Sequence, residues 1–437
     1  MRRGSFLVAV MAGMVLPAWA AGGSERGVWT RPDLVVAKDG SGDFTSVQAA
    51  VQSIPKDHHE RRIILVRDGV YNEKVRIDAS CVTLRGESRT GTRIEDTGGT
   101  VVNVYGDDVV LENLTIRNTQ GVLGVHAFAV GGRGDRMVIQ DADVHSHGND
   151  TIALWRTGRG PVSEDSASRT SPNGRYYHAR LKVSGSVDFV CPRGWCYMKD
   201  CELTEMNPKS EAAMWHDGSR DRDMKFVMVG CRFEGPPEGF GLARHHHDAM
   251  FFFLDCRFAN TMRDKAPYRV VYPLDGGPAT EQNRQRNQEL DATNIWGERA
   301  YFFNSHRDGG DYAWHRDNLS SAPGSPTRDQ VTAKWTFAGT WDPERTDGPR
   351  VVSVEPQGAG RSVVTFSEPV TAKGKPRLLF PGGEFAELES GSGTSKLVFS
   401  APKAPAGGAR PKLDFHGGTI LACEAGAVLR IADANMP

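Results

Sequence analysis

Short apolar strands recur along most of the chain. The segments "CVTLRG" from Cys81, "ENLTIRN" from Glu112, "QDADVHS" from Gln140 and "ARLKVSG" from Ala179 share one pattern. "KDCELTE" from Lys199, "VGCRFEG" from Val229 and "LDCRFAN" from Leu254 continue it. Apolar and polar positions alternate with period 2, which marks strands and not helices. Aligning the segments puts Val82, Leu114, Ala142, Leu181, Cys201, Cys231 and Cys256 in one column, at intervals of 20 to 39 residues. Irregular but recurring strand-and-turn units predict a parallel β-solenoid over residues 33–345, each coil burying its apolar face against the next. In "FTSVQAAVQSIP" the apolar Val47, Ala50 and Val51 follow a possible N-cap at Thr45 or Ser46, and Pro55 stops the run. That predicts a short helix capping the N-terminal end of the solenoid. Beyond about residue 345, "VVSVEP", "SVVTFSEPV", "PRLLF", "SKLVFSAP" and "PKLDFHG" are short strands between Gly/Pro turns. They predict a separate, small β-sandwich over residues 348–437.

Composition fits an all-β chain of two domains: 437 residues, 49 of them glycine. The formal net charge of −1 gives no global field, so any preference for a polyanion has to be local, and nothing marks a nucleic-acid binder. Residues 1–20, with two arginines, an apolar run from Phe6 to Leu16 and Ala18-Trp19-Ala20, read as a secretory signal peptide too short to span a membrane. No later stretch is long and apolar enough to span one, so a soluble, secreted or periplasmic protein is expected. Export permits disulfides, but seven cysteines leave at least one unpaired within a chain. Cys201, Cys231 and Cys256 share a column and are expected to stack inside the coil as small hydrophobes. "TGRGPVSEDSASRTSPNG" (157–174) reads as a protruding loop.

Asp188, in "GSVDFVCPRG", follows a strand-like run, where a charged carboxylate is disfavoured and costly to bury. A turn aspartate bonding to its own backbone is the plain explanation. Other segments change that reading. "VVAKDGSGDFTSVQAAV" (35–51), "GVYNEKV" (69–75), "NLTIRNT" (113–119), "NDTIAL" (149–154), "GRYYHARLKVSGSVDFV" (174–190) and "GLARHH" (241–246) resemble, in order, segments of the pectinesterases, the pectin methylesterases. That family's fold is a right-handed parallel β-helix.

The resemblance implies a secreted carboxylic ester hydrolase that demethylesterifies pectin, with no cofactor or metal and acting as a monomer on a polysaccharide. Asp188 stands where the family has its nucleophile and Asp150 where it has its general acid/base. A carboxylate can attack an ester carbonyl to form an acyl-enzyme, and a second carboxyl that keeps its proton can hand it to leaving methanol. Arg244 would hold Asp188 through a bidentate pair. His126 and Asn149 stand where the family has glutamines that donate to the oxyanion, and both residue types can donate. "DFVCP" alters the turn after the nucleophile, and His246 replaces the family's groove-lining tryptophan. Trp215 is a candidate replacement aromatic, and Phe189 a further substrate contact.

"HHHD" (245–248) invites a metal reading, but consecutive strand residues face opposite ways and no zinc spacing accompanies them. Three other readings compete: an esterase acting on another pectic ester such as acetyl, a lyase or glycosidase on the same solenoid, and an inactive pectin-binding protein. The C-terminal strands resemble the immunoglobulin-like modules appended to exported bacterial enzymes, which implies an accessory role.

Overall fold

A computed structural model of the chain describes residues 32–156, 174–217, 224–246, 249–270, 300–321, 324–345, 348–358, 360–401, 411–416 and 418–425. The predicted signal peptide and all but the last residue of the predicted 157–174 loop lie outside the described residues. So do His247, Asp248 and the side chain of His246.

Three parallel sheets run the length of a β-helix. The first has ten strands, from Leu34–Val36 through Val82–Gly86 and Gly174–Ala179 to Ala300–Phe303. The second has nine, from Gly69–Asn72 through Asp143–His145, Lys182–Gly185 and Glu202–Glu205 to His306–Arg307. The third is split into Val75–Ile77, Gly99–Val104, Ala127–Gly132 and Ile152–Leu154, then Met214–Asp217, Ala243–His246 and Tyr268–Arg269. Period-2 alternation explains the core. Ile94, Ile116, Val144, Val183 and Leu203 point inward on the second sheet and are at most 1% exposed, while their neighbours face out.

The recurring column marks a corner. Leu114, Ala142, Leu181, Cys201, Cys231 and Cys256 are all buried at the start of second-sheet strands. Each follows a left-handed residue: Asn113 (φ 54°), Asp141 (52°), Arg180 (55°), Asp200 (54°), Gly230 (64°) and Asp255 (55°). Val82 is misplaced in that column. It opens a first-sheet strand, and it looked equivalent because Cys81 before it is also left-handed, with φ 56°. A left-handed corner followed by a buried apolar residue occurs at more than one edge of the coil, so the pattern alone cannot say which edge. The cysteines of the column are buried thiols, as are the other four.

The helix forms as the pattern predicts, over Val47–Gln52, with Ser46 as its N-cap. The Glu73 carboxylate accepts from the Val47 and Gln48 N–H groups at 2.9 and 3.0 Å and from the Ser46 hydroxyl at 2.6 Å. It satisfies amides that a helix start leaves unpaired and suits the positive end of the helix. Among the described residues no helix is long and apolar enough to cross a membrane.

After the last coil the chain doubles back over the outer face of the first sheet. Val331, Ala333, Phe337 and Trp341 bury a second core there with Tyr177, Tyr197, Val227, Phe252 and Tyr301. The C-terminal strands from Val351–Pro356 to Thr419–Ala422 form one antiparallel sheet of seven. The long strand Arg361–Lys373 pairs with Thr394–Ser400 through its first half and with Thr419–Ala422 through its second. The sheet thus folds over its own core of Val364, Phe366, Leu378, Leu397, Phe399 and Ile420. It also packs on the solenoid. Arg61, 1% exposed, donates to Thr83 Oγ1, to the Asp108 carbonyl and to the Cys423 carbonyl.

Candidate active site

The split in the third sheet is where the chemistry-bearing residues gather. Between its two halves the ladder shrinks to single bridges, Ile152 to Val190 and Val190 to Met214. Two residues before each of the first two positions come Asp150 and Asp188, left-handed with φ 57° and 58°. Aspartate tolerates that conformation better than most residues, which is one reason a carboxylate can stand at this corner. The matching register places the two aspartates on neighbouring rows, about 4.8 Å apart along the stack. The Asp150 N–H donates to the Val187 carbonyl at 3.4 Å and the Asp188 N–H to the Ala212 carbonyl at 2.8 Å, so each corner is tied to the next coil. Gly185 permits the tight turn: a Cβ there would come within 2.2 Å of Thr151 Oγ1 and 2.4 Å of the Phe189 Cβ.

Arg244 reaches Asp188 across an intervening row. Its Nε donates to Oδ1 at 2.9 Å and its Nη2 to Oδ2 at 2.5 Å, the bidentate fork that fixes a carboxylate in orientation. Trp215, on the row between, lies under the guanidinium at 5.1 Å. Asp188 is 9% exposed and Asp150 6%, so both open onto a confined space.

The remaining candidates fall in different places. His126 and Asn149 bridge one another across neighbouring rows. The exposed His126 ring sets Nε2 3.3 Å from Asp150 Oδ2. Asn149 donates from Nδ2 to the Gly124 carbonyl at 3.2 Å and accepts from the Ser186 hydroxyl at 3.2 Å. Trp215 is nearly buried, and Phe189 is wholly buried in the solenoid core. Phe189 therefore offers no surface to a ligand: with Asp188 facing out, the next residue turns inward. His245 is also buried, its ring edge-on to Phe251 at 6.2 Å.

Three residues escaped the sequence reading. Phe128 and Trp155 meet edge to face at 5.5 Å and, with Tyr105, Asn103 and Arg133, line a groove of about 150 Å³ beside His126 on the same sheet. Phe128 was findable, since it shares the face of His126 two residues on. Glu205 was not. It lies on the coil after Asp188, 1% exposed, where its Oε1 accepts from the Asn207 N–H at 2.8 Å. Burial pushes its carboxyl up to about 7, and the nearby Asp188 adds to that, while hydrogen bonds from Asn207, Ser210 and Val187 pull it partly back.

Residues 33–159 match the pectinesterase family model, a span that includes His126, Asn149 and Asp150 and ends before Asp188 and Arg244. A probable pectinesterase/pectinesterase inhibitor of Arabidopsis thaliana is 26% identical over 51% of this chain and 39% of its own length. A pectinesterase/pectinesterase inhibitor of Ficus pumila var. awkeotsang is 29% identical over 43% of this chain and 34% of its own. The match thus spans well under half of these relatives. Among solved structures, the pectin methylesterase PemA from Erwinia chrysanthemi superposes with a TM-score of 0.55 at 18% identity, covering 71% of this chain and 98% of that one. Pectin methylesterase from carrot gives 0.52 at 18%, over 71% and 94%. Residues 33–159 thus resemble the pectinesterase family, and the β-helix is a fold that this chain shares with solved pectin methylesterases.

Proposed function

We propose that this chain is an exported carboxylic ester hydrolase that removes methyl groups from pectin. The observation that carries the proposal is the Arg244 fork on Asp188, with Asp150 at the equivalent corner one row away. In the proposed cycle an Asp188 oxygen attacks the methyl-ester carbonyl of a galacturonate unit. Asp150 gives its proton to the departing methoxide, so methanol leaves and an acyl-enzyme remains. Asp150 then takes a proton from water as the water attacks that acyl group, which frees Asp188 and leaves a carboxylate on the sugar. Arg244 keeps Asp188 ionised and aimed throughout. The Asn149 amide, which spends one N–H on the Gly124 carbonyl, offers its other N–H to the developing oxyanion. His126, against Asp150, orients the proton carrier and can also reach the oxyanion. The aromatic groove of Phe128 and Trp155 suits sugar faces, and Arg133 there suits a uronate carboxylate. The C-terminal sheet serves as an accessory domain and supplies no residue to the site.

The test is methanol and acetate release from pectin by the purified protein and by Asp188→Asn. The wild type should release methanol, and the amide, unable to form the acyl-enzyme, should release none while remaining folded. Acetate in place of methanol would move the substrate to another pectic ester. Turnover by Asp188→Asn equal to wild type would remove Asp188 as nucleophile.

A further inference from the structure

Where the C-terminal sheet meets the solenoid, two cysteines far apart in sequence come together around Arg61. The Cys81 carbonyl accepts from the Arg62 N–H at 2.9 Å. Cys423 Sγ lies 3.2 Å from Thr371 Oγ1 and 3.0 Å from the His59 carbonyl, and its own carbonyl accepts from the Arg61 guanidinium. Thr371 Oγ1 in turn accepts from the Arg61 N–H at 2.6 Å. Across this cluster the two thiols come within interaction range of one another. We propose that Cys81 and Cys423 are a disulfide site, a covalent staple between an early coil of the β-helix and the last described strand of the C-terminal sheet.

The chemistry favours this pair over the other contacting thiols. Contact with Cys81 foremost, then with Thr371 and Arg61, brings the Cys423 thiol below its ordinary value against burial, which favours the thiolate that exchange requires. Cys201, Cys231 and Cys256 also touch, but burial pushes the central Cys231 thiol well above its ordinary value. Those three sit at the same position of successive parallel rows, with near-parallel Cα–Cβ bonds, whereas a disulfide needs its two sulfurs offset by a dihedral near 90°. Cys81 and Cys423 face each other from separate segments.

Formation balances by exchange with a low-molecular-weight disulfide such as oxidised glutathione. The Cys423 thiolate attacks one donor sulfur and expels a thiolate. That thiolate takes the Cys81 proton, and the Cys81 sulfur attacks Cys423 in the mixed disulfide and expels the second donor thiol. Two electrons and two protons pass from the cysteine pair to the donor. An exported chain, as proposed above, would meet such conditions, but the test does not depend on location.

The full chain, equilibrated with oxidised glutathione and denatured without reductant, should show two thiols fewer than its seven and one Cys81–Cys423 peptide pair in a non-reducing digest. Reduction should then lower the Tm of the wild type by roughly 5–10 °C and leave that of Cys423→Ser unmoved. Seven free thiols, glutathione remaining on Cys423, or a link among Cys201, Cys231 and Cys256 would each overturn the assignment. So would a wild-type Tm that ignores reductant.

Discussion

Replacing Glu205 with glutamine should stabilise the protein above neutral pH and leave it unchanged in acid. Glu205 is sealed beneath the turn that carries Asp188, and burial raises its carboxyl from an ordinary 4.5 to about 7. The folded state therefore prefers the protonated form. Below pH 4.5 both folded and unfolded chains hold the proton and the preference has no cost. As pH rises through the window from 4.5 to about 7 the unfolded chain ionises first, and stability falls; above it the loss is constant. At 1.36 kcal/mol per unit, a shift of this size corresponds to about 3 kcal/mol. Glutamine has the same shape, keeps an oxygen for the Asn207 N–H at the Oε1 position and never ionises. The stability gap between Glu205→Gln and wild type should thus open from near zero at pH 4 to about 3 kcal/mol at pH 8. Urea unfolding at pH values across that range measures it. Other buried groups, such as His178, titrate identically in both proteins and cancel from the difference. Parallel curves, with a gap under about 0.5 kcal/mol at every pH, would refute the placement of Glu205 as a buried, destabilised carboxylate.

His126→Ala should lower turnover, by up to about 10²-fold, with little change in KM, because the Asp150 carboxyl loses its neighbour while the groove stays intact. His126→Gln should keep most of the rate; wild-type turnover in the alanine variant would leave His126 without a part in the reaction. Ending the chain after residue 345 uncovers the Arg61 guanidinium, breaks the Lys373–Asp33 pair at 2.5 Å and removes the carbonyl that Trp341 Nε1 donates to at 2.9 Å. The shortened protein should lose several degrees of Tm, at roughly 2–4 °C per kcal/mol, and keep its turnover at low temperature. An unshifted Tm would make the C-terminal sheet a tethered module with its own independent fold.

The sequence by itself determined the kind of element and nominated most of the candidate site. Period-2 alternation dictated strands, because only that spacing puts Ile116, Val144 and Val183 on one side of a pleat. Ser46, the apolar Val47, Ala50 and Val51, and Pro55 were enough for the cap helix. Asp188 stood out as a carboxylate at the end of an apolar strand, and Asp150 and Arg244 through the segments that resemble the pectinesterases. Tertiary structure decided which rows stack on which. Coil lengths vary, so separation along the chain does not say that Arg244 lies two rows from Asp188 or that Glu205 lies on the very next coil. The left-handed corner at Asp188 turned Phe189 inward and made it core, where the sequence had suggested a ligand contact. The same corner geometry, present at two edges of the early coils, hid the true place of Val82. The meeting of Cys81 with Cys423 depends on the C-terminal sheet folding back against an early coil. Local patterns record whether a residue faces in or out; contacts between coils follow from register, which is set by the summed packing of every row.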